Sequence, residues 1–465
     1  PYNFDGDQYD LLAELTYEFD WAVLTSTTSF DHFDVQSQFD SEQTALTVAV
    51  FIDRQESDAF GQEFRLTSSG DGPVTWMTGA YFYDNDFTRG SLSPDKPIFV
   101  LGPDIVPLPP PLFNGAAGDQ SSFQSRNDTQ HWSLFGQADW QVTERTRLSA
   151  GMRYIDEEKS IDARSTQQIA AAPSLATNTT VPTPVVAERS SDGVAWNLSA
   201  LYDIAADTTL YATVAEGYKA GGYNGDWSAT GILTPERREF DDETVLNLEA
   251  GLKSRFWYDQ ATLNLSVFRS EFDDFQNASF LGLSFLVRNA EKVVTQGIEL
   301  DGSVRPVTGV TIDYAVTYLD AEYDKFTQGA CYFGRTPTNP AERTCDLSGE
   351  TMPNAPTWRS NLGLQLEHPL AAGTGFFRTD WSYSSDQNVD TALDPRAEQG
   401  ANSILSARMG WRNERYSVSV WGDNLTDETV MTTAGPQTIF GGIDGGLQIY
   451  LNEPRTYGVT MDVRF

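Results

Sequence analysis

Hydrophobic and polar residues alternate with a period of two through most of the chain, most plainly at its end. Tyr457, Val459, Met461, Val463 and Phe465 fall on one face of a strand, and Thr456, Gly458, Thr460, Asp462 and Arg464 on the other. An extended chain sends successive side chains to opposite faces. This stretch, ending on an aromatic, therefore predicts a strand apolar toward lipid and polar toward a lumen. Taken alone, it fits a half-buried strand of a soluble sheet as well.

The same pattern predicts seventeen strands, over residues 9–19, 22–33, 61–69, 73–84, 131–142, 145–157, 194–204, 208–219, 243–256, 261–273, 292–304, 309–322, 357–367, 374–385, 401–412, 415–425 and 455–465. Their connections alternate between short and long. Short ones carry turn chemistry, as in Ser69-Gly70-Asp71-Gly72, Thr143-Glu144, Ala205-Ala206-Asp207, Pro306-Val307-Thr308 and Asn413-Glu414. Long ones cover 34–60, 85–130, 158–193, 220–242, 274–291, 323–356, 386–400 and 426–454. That segregation belongs to transmembrane barrels, with tight turns on the periplasmic side and long loops outside.

Single strands carry the same signature. In 131–142 the outward set is Trp132, Leu134, Gly136, Ala138 and Trp140. The two tryptophans lie about 26 Å apart along the strand, nearer 20 Å once tilted, which places one at each membrane interface. Leu148, Ala150, Met152 and Tyr154 alternate with Arg147, Ser149, Gly151 and Arg153, and Trp358, Leu362, Leu364 and Leu366 alternate with Arg359, Asn361, Gly363 and Gln365. The second face is too polar for a packed core and suits a wet or plugged lumen.

Composition sharpens this picture. No run in the 465 residues approaches the roughly 18 apolar residues of a spanning helix, so a membrane crossing would need a closed barrel. Lys+Arg 31 against Asp+Glu 66 gives −35, a charge that excludes nucleic acid as a partner and fits acidic, solvated loops. The opening Pro1-Tyr2-Asn3-Phe4-Asp5 is neither basic nor apolar, so a chain that is mature, trimmed or incomplete is expected. The two cysteines, Cys331 and Cys345, share one polar loop, and in an oxidising compartment they are expected to form a disulfide. With the last strand ending at a periplasmic C-terminus, the odd count implies a further upward strand before Pro1.

Several stretches then resemble the barrel of TonB-dependent outer-membrane receptors. Gly61-Gln62-Glu63-Phe64-Arg65-Leu66-Thr67-Ser68 resembles that family's Q-E-x-R-L-T-S strand. Leu134-Phe135-Gly136-Gln137 with Ala150-Gly151-Met152-Arg153-Tyr154 resembles its "FGQ … AGLRY" pair, and Glu216 to Asn224 its "GYKxGGFN" segment. Gln296-Gly297-Ile298-Glu299-Leu300, Pro353-Asn354-Ala355-Pro356, Asp423-Asn424-Leu425-Thr426-Asp427 and the terminal aromatic strand follow in the family's order. Each motif alone is weak; the ordered series is specific.

The resemblance implies an all-β, antiparallel transmembrane β-barrel. About 17 strands of a 22-stranded barrel would be present, with residues 1–465 forming its C-terminal part and no counterpart of the plug. It further implies energy-coupled uptake of a scarce ligand (ferric siderophore, cobalamin or glycan), with a passive porin as the alternative. No cofactor is expected. The implied partners are outer-membrane lipid and lipopolysaccharide, the barrel-assembly machinery, a small-molecule ligand and the inner-membrane TonB complex, reached through the plug region. In the last strand Tyr457, Val459, Met461, Val463 and Phe465 would form the membrane-assembly signal.

No catalytic constellation appears. His32, His131 and His368 are scattered, without an H-E-x-x-H spacing or a G-x-S-x-G elbow. Asp5-Gly6-Asp7 and Asp84-Asn85-Asp86 lack a calcium loop's downstream ligands. Asp241-Asp242-Glu243 reads as a charged rim or a divalent-cation site. The ligand-binding candidates are Tyr218, Lys219, Tyr223, Asn224 and Trp227 at the outer mouth, where aromatic faces and donors converge; an aromatic girdle with a structural turn at Gly221-Gly222 is the other reading. The Pro-rich stretch Pro103 to Pro111 is expected to be a stiff surface segment.

Overall fold

The computed structural model describes residues 3–40, 49–70, 72–91, 99–101, 120–165, 184–225, 238–281, 284–342, 344–436 and 445–464. Among them, seventeen long strands form one antiparallel meander. In order they are β1 (Asn3–Glu18), β2 (Ala22–Asp40), β3 (Ala49–Ser68), β4 (Val74–Ser91), β5 (Phe123–Thr143), β6 (Thr146–Ser165), β7 (Val185–Ala205) and β8 (Thr208–Lys219). There follow β9 (Glu243–Phe256), β10 (Ala261–Leu281), β11 (Ser284–Val304), β12 (Val310–Lys325), β13 (Trp358–Leu370), β14 (Gly373–Ser384), β15 (Asn402–Arg412), β16 (Tyr416–Asp423) and β17 (Thr456–Val463). Each pairs with its successor, from β1 on β2 through β16 on β17.

All seventeen expected strands are present, and their tight-turn ends fall where turn chemistry placed them. Asn413 shows why: its Oδ1 accepts from the amides of Arg415 (2.9 Å) and Tyr416 (2.7 Å), closing the β15–β16 turn. The opposite ends are longer than expected. Residues 274–291, expected as a long loop, are mostly ladder, with Phe275 opposite Ala290 and Leu281 opposite Ser284. Likewise 34–60 and 85–130 supply further rungs to β2, β3, β4 and β5. Hydrogen bonding continues after apolar alternation stops, because a hairpin in water needs no greasy face to keep its ladder. The final strand is correspondingly shorter than 455–465, and Phe465 lies outside the described residues.

The two faces separate cleanly. Along β5, Trp132, Leu134 and Trp140 are exposed, while Ser133 between them is 1% exposed. On β17, Tyr457, Val459, Met461 and Val463 are exposed on one side. A soluble protein would bury such a band; a bilayer solvates it. The polar face is concave, since a recess of about 600 Å³ on it is lined from Glu63 and Arg65 on β3 round to Asn247 on β9.

Packed cores occur instead at the strand ends beside the long connections and within those connections. Ala290, Val293, Tyr323, Phe326, Cys345 and Leu347 are fully buried together, with Phe272, Phe275, Cys331, Met352 and Leu393 against them. The Cys331–Cys345 disulfide (Cα–Cα 5.2 Å) closes one side of this cluster. A second, smaller cluster joins Val389, Ala397 and Ala434. Short ribbons stiffen the same region: Gly222–Tyr223 with Glu239–Phe240, Gln387–Asn388 with Glu398–Gln399, and Met431–Pro436 with Leu447–Leu451. Pro103 to Pro111 lies outside the described residues.

Candidate functional site

The ladder between β7 and β8 ends at Glu216 opposite Trp196, while β8 stays paired with β9 as far as Lys219 opposite Glu243. Tyr218 lies flat against Gly193, where a Cβ would sit 2.4 Å from its ring, so only glycine admits it. The Tyr218 hydroxyl donates to Asp242 Oδ2 at 3.0 Å. Asp242 is the hub. Its Oδ1 accepts from the Gly221 amide (2.7 Å), Ser191 Oγ (2.8 Å) and Arg189 Nη2 (2.9 Å). Burial alone would raise the Asp242 pKa, but these donors outweigh it and hold the carboxyl below the ordinary carboxylate range.

The other candidates fall into different roles. Tyr223 pairs with Glu239 in the short ribbon. Asn224 is buried and spends its side chain on backbone: Nδ2 donates to the Val287 carbonyl (2.9 Å), and Oδ1 accepts from the Val287 amide (2.7 Å). It is a clamp onto β11. Lys219 is exposed, with Nζ 4.0 Å from Glu243. Trp227 lies outside the described residues. The structure thus brings Tyr218 and the Gly221-Gly222 turn onto one carboxylate and sets Lys219 apart.

Asp241-Asp242-Glu243 is a junction of hydrogen bonds. Asp241 exchanges backbone bonds with the Asn289 side chain, N–H to Oδ1 at 2.8 Å and carbonyl to Nδ2 at 3.0 Å. Glu243 accepts from the Gln276 amide at 2.6 Å. Arg189, Ser191, Gln276 and Asn289 gave no signal in the sequence, because their partners lie tens of residues away and only strand register unites them. Among the described residues, no group of three or more His, Cys, Asp or Glu is arranged to hold a metal ion.

A polar chain continues down the concave face. Lys159 Nζ donates to the Gly221 carbonyl (2.9 Å) and contacts Glu157 at 2.7 Å. Glu157 accepts from His131 Nδ1 at 3.1 Å, and His131 Nε2 meets Arg153 Nη2 at 3.4 Å. The mouth segment is therefore tied to the inner wall by side chains from β5, β6 and β7. Chemically, this arrangement can position polar and aromatic groups around a solute.

Comparison with known proteins completes the picture. A family model described as TonB dependent receptor-like, beta-barrel, matches residues 1–425. The pesticin receptor of Yersinia pestis is 25% identical over 332 residues, covering 70% of this chain and 42% of the relative. The chain thus spans less than half the length of that curated relative. Among solved structures, the ferric yersiniabactin uptake receptor FyuA from Yersinia pestis superposes with a TM-score of 0.75 at 19% identity, covering 100% of this chain and 62% of that one. The siderophore receptor PiuA from Acinetobacter baumannii gives 0.71 at 16% identity, over 98% of this chain and 64% of that one. Seventeen antiparallel strands, a lipid-exposed apolar face, a concave polar face and the family match agree: the chain belongs to the TonB-dependent receptor β-barrel family and is an outer-membrane protein.

Proposed function

We propose that this barrel serves an energy-coupled receptor that captures a scarce small molecule outside the cell and passes it through the lumen. A ferric chelate is the favoured cargo, with cobalamin or a glycan as the other members of the class. The observation that carries the reading is the anchored outer mouth: Tyr218, Gly221 and Asp242 hold a polar, aromatic segment over a concave polar wall. The names of similar proteins support an iron cargo, since they include ferric yersiniabactin and siderophore receptors. A passive porin is not favoured, because the family match is to receptors.

On this reading residues 1–465 are barrel throughout, and contact with the inner-membrane TonB complex is made by a plug region outside that range. Lipopolysaccharide and the barrel-assembly machinery are its envelope partners, the latter through the β17 face. The test is uptake of ⁵⁵Fe-loaded chelates by a deletion strain, with and without the protonmotive force. Loss of uptake in the deletion and in de-energised wild-type cells is expected. Uptake that persists without energy, or no chelate, vitamin or glycan phenotype at all, overturns the reading.

A further inference from the structure

We infer that Arg153 forms an oxyanion-binding site on the lumen wall, suited to a planar carboxylate. Arg153 sits on β6 with its guanidinium 5.7 Å from the Tyr81 ring centroid and 5.6 Å from that of Phe135. Two π faces favour a cation but do not neutralise it. Among the described residues, no carboxylate comes within ion-pairing distance of Arg153. Its polar contact is His131 Nε2 at 3.4 Å, and that histidine turns Nδ1 toward Glu157. In either protonation state an imidazole adds no negative charge, so His131 does not neutralise the guanidinium.

The site is built rather than incidental. Gly79 on β4 makes room for the Phe135 ring, which would lie 2.5 Å from a Cβ there. Arg153 Nε is buried without a hydrogen-bond partner, and so is the hydroxyl of Ser133, which is 1% exposed and lies two residues from Phe135 on the same face. Two buried, unmet donors, one of them the guanidinium's own Nε, cost free energy while they lack an acceptor. The adjoining recess of about 600 Å³ offers further polar groups in Gln137, Asn197 and Asn247. Glu63, paired with Arg65 at 3.5 Å, and Glu216 line the same recess, but neither pairs with Arg153, whose guanidinium is left to seat an anion.

The oxyanion has two possible sources, a small molecule in transit or a carboxylate side chain of polypeptide seated in the lumen. Arginine-selective phenylglyoxal modification of the protein purified from outer membranes, read by peptide mass spectrometry, separates them. Arg145, exposed at the β5–β6 turn, is the internal reference. Modification of Arg153 that salicylate suppresses about tenfold, with Arg145 unchanged, supports a small-molecule source. Arg153 refractory until the protein is unfolded, with salicylate without effect, supports a polypeptide carboxylate. Arg153 modified as fast as Arg145, with and without salicylate, overturns the site.

A calorimetric titration with salicylate provides an independent arm on the small-molecule source. Arg153→Lys keeps the charge but loses the fork, and Ser133→Ala removes the second donor; the former should weaken binding about tenfold where the wild type binds. Unchanged affinity in Arg153→Lys overturns the assignment. The inference rests on the polar face being the lumen wall, as the proposed function does. Its failure is distinguishable, since the uptake phenotype is measured without reference to Arg153.

Discussion

Replacing Asp242 with alanine should release the mouth segment while leaving the barrel intact. The carboxylate accepts four hydrogen bonds, from Gly221, Ser191, Arg189 and Tyr218, at 2.7 to 3.0 Å. Arg189 keeps Glu239 at 2.5 Å, so it is not stranded, but the Gly221 amide and Tyr218 hydroxyl lose their acceptor. Hydrogen bonds to a charged group contribute roughly 1.5–3 kcal/mol each, and the 30% exposure of the Asp242 side chain lets water recover much of that. A net local loss of about 3 kcal/mol follows, equivalent to about a hundredfold more frequent opening. Hydrogen exchange read by mass spectrometry tests this directly, because the Gly221 amide is itself a donor to Asp242. Peptides covering 218–224 and 238–243 should exchange about a hundredfold faster, with β5 and β6 unchanged. Unaltered exchange at Gly221, or equal loss of protection throughout the β5–β6 ladder, would refute the reasoning.

The remaining predictions address acid, the outer core and the lipid face. Because its folded pKa is depressed, Asp242 contributes stability that is fully present above about pH 4 and lost as pH falls through the lower folded value. Hydroxyl-radical footprinting of Tyr218 should therefore be flat from pH 7 to about pH 4 and rise below; a transition near pH 6 would contradict this. Replacing Cys331 and Cys345 together with serine should cost the outer cap about 3 kcal/mol, given the fourteen-residue separation, and speed proteolysis within 332–344. No change in cleavage rate there would show the buried cluster to be sufficient alone. Val459→Arg places a charge on the exposed apolar face of β17 and should cost roughly 2–4 kcal/mol if it sits at mid-bilayer depth. The readout is the fraction of heat-modifiable, folded barrel in outer membranes, and wild-type yield would count against a lipid-facing Val459.

The membrane-level wall was legible because two local signals coincide there. Period-two alternation fixed the faces of β5, β6 and β17, and turn residues such as Asn413 fixed one end of each hairpin. The outer ends were not legible. Past Trp132 the apolar signal disappears, yet Asp128 still pairs with Asp86 and Ser160 in the ladder. The mouth was half legible: a motif pointed to Tyr218 and Asn224, but not to their opposite fates, one on a carboxylate and the other clamped to Val287. Asp242 was visible as part of an acidic run, though its donors, drawn from β7, β8 and the turn at Gly221, could be known only from the folded chain.

The length of the hairpins has a consequence for how the cell surface meets its surroundings. β10 and β11 each run for 21 residues, about 69 Å of strand, or roughly 53 Å of height at a tilt of 40°. A hydrocarbon layer accounts for about 25 Å of that. The rest stands clear of that layer as a stiff collar of paired strand. Anything that approaches this end of the barrel encounters the rim before it encounters the membrane.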